Sequence, residues 1–102
     1  MDIENDLQYL AETDEIYADA SAKLDFSKDM LKNYKGMAVV SSKSSVSKAQ
    51  EEFYASQNYI NSISIIFEKQ NEVNKLRNKR ATAILRIDVW RTLEASRRKG
   101  NI

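Results

Sequence analysis

A chain of 102 residues with no proline and only two glycines, Gly36 and Gly100, has few ways to turn. Sheet proteins need turn residues between every pair of strands, and this composition does not supply them. Helices are what remains, and the apolar spacing agrees. Ile3, Leu7, Leu10, Thr13, Tyr17, Ala20, Leu24, Ser27, Leu31, Tyr34 and Ala38 recur at steps of three and four, the spacing of one helix face close to a heptad seam. Acids crowd the first turns, where the helix dipole favours them. The pattern predicts a first helix over about residues 2–40, with Gly36 as a candidate bend or early end.

Residues 41–45 read Ser-Ser-Lys-Ser-Ser. Serine hydroxyls compete with helical hydrogen bonding, so a turn is expected over 41–46. Ser47 followed by Gln50 fits a capping box. A second helix is expected over about 47–99, carrying Ala49, Phe53, Ser56, Ile60, Ile63 and Phe67 on one row. Ile66, Val73, Leu76, Ala83, Ile87 and Trp90 sit on a neighbouring row. Residues 68–82 are thin in apolar side chains, so a break there is the alternative. The expected fold is all-α: a single domain made of an antiparallel two-helix hairpin with a long second helix, completed by oligomerisation.

The missing residue types exclude chemistry. No histidine and no cysteine are present, which removes the usual general base, the commonest metal ligand and thiolate chemistry. Two isolated glycines cannot form a phosphate-binding loop. The adjacent acids Asp14 and Glu15, or Glu51 and Glu52, do not face each other on a helix. The chain is read as non-enzymatic, with no cofactor, no metal and no small-molecule substrate. No apolar run reaches the length of a membrane span, and the start lacks a signal-peptide pattern. The cytoplasm is the expected location.

Charge is sharply polarised although the net charge is only +1. Residues 1–25 hold eight acids and one base, whereas residues 75–102 hold nine bases and two acids. A turn centred on residue 43 would set residue i opposite about 86 − i. Residues beyond 84 would then outrun the acidic first helix by roughly 20 Å, at ~1.5 Å per residue. In that overhang Ile84, Ile87 and Trp90 face one way, and Leu85, Val89 and Leu93 another. A helix apolar on two sides has two neighbours, so these six are the candidate oligomer interface. Arg86, Arg91, Arg97, Arg98 and Lys99 lie past the expected acidic cover and are candidate contacts to an outside anion. Lys79 and Arg80 are added as candidate DNA-binding residues, with pairing to helix 1 as their alternative role.

Tyr9-Leu10-Ala11-Glu12-Thr13-Asp14, the Lys- and Ser-rich middle over residues 43–48, and the end from Ile87-Asp88-Val89-Trp90 to Arg97-Arg98 give a layout that resembles small helical proteins of the recombination and replication regions of tailed bacteriophages. More distantly it is similar to the UvsY type of recombination mediator. The resemblance implies a homo-oligomer that binds single-stranded DNA and assists a phage recombinase or single-strand-binding protein in the host cytoplasm. The other reading is a coiled-coil adaptor or assembly factor with no nucleic-acid role, whose charged ends set register between subunits.

Overall fold

A computed structural model describes residues 3–100. The start expected near residue 2 and the acid Asp2 lie outside them. Three helices follow in order: α1 (Ile3–Ser41), α2 (Val46–Tyr54) and α3 (Gln57–Gly100). No strand occurs among the described residues. Helices α1 and α3 pack together, and the chain divides into two compact units. Unit 1 joins residues 1–19 with 74–102, and unit 2 comprises residues 20–73.

The long second helix expected from the sequence is two helices, broken at Ala55 and Ser56. Ala55 ends α2 with its N–H bonded to the Glu51 carbonyl at 3.1 Å. Ser56 then starts α3 as its N-cap. Its hydroxyl accepts from the Tyr59 N–H at 3.2 Å and donates to the Phe53 carbonyl at 2.5 Å. An N-cap serine satisfies one of the orphan donors of a first helical turn. The rings of Phe53, Tyr54 and Tyr59 close over the corner, with centroids 5.1–6.0 Å apart. The thin segment over residues 68–82 is continuous helix, and α1 runs through Gly36 without ending. The cap of α2 is Ser45 in place of Ser47, with the Lys48 N–H bonded to its hydroxyl at 3.3 Å. The Ser-rich stretch supplies the same chemistry two residues earlier than the capping-box pattern places it.

In unit 2 the buried residues are Ala20, Leu24, Ala49, Phe53, Ser62 and Val73. Phe53 is the one large ring among them, brought inward by α2. Unit 1 buries less apolar material. Its buried described residues are Asp6, Thr13, Ala83 and Ile87, two of them polar. The α1 seam holds along most of its length but slips at the start. Asp6 is 5% exposed and Leu7 is 51% exposed, the reverse of the heptad expectation. The cause is across the unit: Arg86 of α3 pairs with Asp6 and holds that side of α1 inward.

Candidate interaction surface

Every residue singled out from the sequence lies in unit 1, on α3. Their surroundings follow from the helix register. The hairpin geometry expected from the sequence sets residue 6 opposite 80 and residue 14 opposite 72. Instead Asp6 meets Arg86 at 3.0 Å, Asp14 meets Arg80 at 3.4 Å, and Tyr17 accepts from Arg77 at 3.4 Å. The connection between α1 and α3 contains α2 and a second corner, which carries the pairing further along α3. Arg86 therefore falls within the acidic cover. The overhang shortens to the last turns of α3.

Arg80 is the most enclosed of the candidate cations. Its guanidinium donates to the Leu10 carbonyl at 2.8 Å and to the Thr13 hydroxyl at 2.7 Å, and it lies over the Tyr17 ring at 5.5 Å. Thr13 is itself buried and donates to the Tyr9 carbonyl at 2.7 Å. A fork of donors spread over a carbonyl, a hydroxyl and a carboxylate is held inside the fold.

Farther along α3, cations pair with acids of their own helix. Arg91 lies 3.8 Å from Asp88. Arg97 makes a close ion pair with Glu94, and that hydrogen bond and charge hold the guanidinium protonated even above its ordinary range. Arg97, Arg98 and Lys99 occupy the last turn, where the carbonyl end of the helix dipole favours cations. Lys79, Arg98 and Lys99 have no ionic partner among the described residues. Lys79 and Arg86 border a cleft with Asp6, Tyr9, Thr82 and Ala83. In that lining Asp6 Oδ2 and the Tyr9 hydroxyl are buried without a hydrogen-bond partner.

The apolar candidates divide by face. Ile87 is buried and Trp90 half-buried on the side of α3 turned to α1. On the opposite side Leu85 is 62% exposed, Val89 40% and Leu93 60%. Their spacing of four keeps them on one row, and Ile84 is exposed beside it. Leu85, Val89 and Leu93 together form an exposed aliphatic row on the surface of α3.

A second exposed row was not recognised in the sequence. Phe26, Met30, Asn33, Met37 and Val40 of α1, in unit 2, follow steps of four, three, four and three. Phe26, Met37 and Val40 are exposed. The signal is a second heptad phase on the same helix, overlooked because the first phase already accounts for the fold.

Comparison with protein families, with characterised proteins and with solved structures gives no significant match to this chain.

Proposed function

We propose that this protein is a non-enzymatic helical assembly module, a homo-oligomer whose docking element is the Leu85–Val89–Leu93 row of α3. One observation carries the reading: α3 is apolar on two sides and unit 1 covers only one. The side bearing Ala83 and Ile87 is buried, and the side bearing Leu85, Val89 and Leu93 is open. Fully burying one such side chain contributes about 1.5–3 kcal/mol, so the row is an apolar anchor to which surrounding contacts add. The thin interior of unit 1 points the same way, because small helical units often complete their cores with a neighbour. The test is the mass of the nuclease-treated protein in solution, beside that of a Leu85→Asp/Leu93→Asp variant. Association that survives the double substitution contradicts the reading.

A second reading is supported by Lys79, Arg98 and Lys99, cations without an ion pair among the described residues, and by the resemblance to phage recombination proteins. Under it the assembled module holds single-stranded DNA along the basic end of α3 and assists a recombinase. Arg80, Arg86, Arg91 and Arg97 already have carboxylate partners, which weighs against a broad phosphate-binding face and puts assembly first.

A further inference from the structure

We propose that the cover for the Leu85–Val89–Leu93 row is the outward face of α1 in a second copy of this chain, so that copies join head to tail. This rests on the assembly reading above and names the partner surface. Leu7, Ala11 and Ala18 lie at steps of four and seven, on one face of α1, and all three are exposed. They make a narrow apolar row that Asp14 interrupts between Ala11 and Ala18, with Glu15 on its border. Alanines at two of three positions let another helix approach closely.

Charge selects this pairing over the alternatives. Within unit 1 the described part of α1 carries six acids and no base, and that of α3 carries nine bases and two acids. Two ion pairs, Asp6–Arg86 and Asp14–Arg80, join the helices inside the unit. Among the described residues, Glu15 and Asp19 on α1 have no ionic partner, nor do Lys75 and Lys79 on α3. Lys75 and Lys79 precede the Leu85 row on α3, and Arg86 lies beside it. Docking α3 on α3 would bring two strongly basic helices together, and docking α1 on α1 two acidic ones. Docking α3 on α1 brings helices of opposite net charge together. It repeats between copies the pairing already made within the unit.

The two rows are different surfaces, one on α1 and one on α3. A contact between unlike surfaces leaves one row free at each end of a joined pair. It therefore continues until it closes into a ring or extends as a chain.

The experiment uses two full-length variants. The row variant carries Leu85→Asp and Leu93→Asp, and the acceptor variant carries Leu7→Lys, Glu12→Lys and Glu15→Lys. None of these residues belongs to an ion pair between α1 and α3. Sedimentation velocity on nuclease-treated protein reads the mass, and circular dichroism checks that helicity is kept. The expected result is that each variant alone sediments as the 11.7 kDa monomer. An equimolar mixture then forms a one-to-one pair and nothing larger, because each variant supplies the row the other lacks. An acceptor variant that assembles like the parent, beside a monomeric row variant, overturns the α1 assignment and leaves the assembly reading intact. A row variant that assembles like the parent overturns both, as does a parent chain that gains mass only on adding a single-stranded oligonucleotide. If the acceptor variant loses helicity, Glu12→Lys/Glu15→Lys replaces it, with self-association at least about tenfold weaker than the parent's as the expected result and unchanged association as the contrary one.

Discussion

Arg86 reaches from α3 to Asp6 of α1 at 3.0 Å, and the carboxylate it meets is almost wholly buried while half of the arginine stays in solvent. That asymmetry sets the cost of removing either partner. Arg86→Ala strands a buried charge and is expected to destabilise the fold by about 1–3 kcal/mol. Asp6→Leu removes the buried charge and releases a guanidinium that already touches water. It is expected to be close to neutral or stabilising. Urea unfolding of the two variants checks the order, and equal losses would show that the pair does not act as described.

Arg80 gives a second prediction. Its donors are divided among the Leu10 carbonyl, the Thr13 hydroxyl and Asp14, a geometry that one ammonium cannot reproduce. Arg80→Lys is expected to cost about 1–2 kcal/mol in thermal or urea unfolding. Single-strand binding, if measured, is expected to change far less than stability. A lysine variant as stable as the parent contradicts the structural role.

The corner at Ser56 is testable through its cap. Ser56→Ala removes the acceptor for the Tyr59 N–H and is expected to cost about 1 kcal/mol. Ser56→Asp retains an acceptor and adds negative charge at a helix start, so it should recover most of the loss. Unfolding midpoints of the pair decide the matter. An aspartate variant as weak as the alanine one would mean that the hydroxyl acts mainly through the Phe53 carbonyl.

Much of the helix pattern was readable in the residues, and its failures have identifiable causes. The α1 seam was visible because a long helix buries one face along its whole length. The slip from Leu7 to Asp6 was not, since it depends on Arg86, eighty positions away. The break at Ser56 was hidden because serine fits both a helix row and an N-cap, and no glycine or proline marks the corner. The missed corner in turn shifted the expected register and left Arg86 outside the acidic cover. The two-sided apolar character of α3 near Val89 was legible because it needs only local spacing. Which cations stay unpaired depends on that register, so it could not be read from charge counts.

The nucleic-acid reading yields its own outcome. If the basic end of α3 holds single-stranded DNA, Lys79→Glu/Arg98→Glu/Lys99→Glu should weaken oligonucleotide binding and flatten its salt dependence. Each lost phosphate contact reduces the log–log slope by about 0.7. An unchanged slope removes these three residues from any DNA contact.

The central claim concerns the open side of α3, and solution mass addresses it most directly. Sedimentation equilibrium of the nuclease-treated parent chain is predicted to give an associated species, a multiple of 11.7 kDa, that falls to the single-chain mass in the Leu85→Asp/Leu93→Asp variant. A parent chain that remains at 11.7 kDa across the accessible concentration range would contradict it.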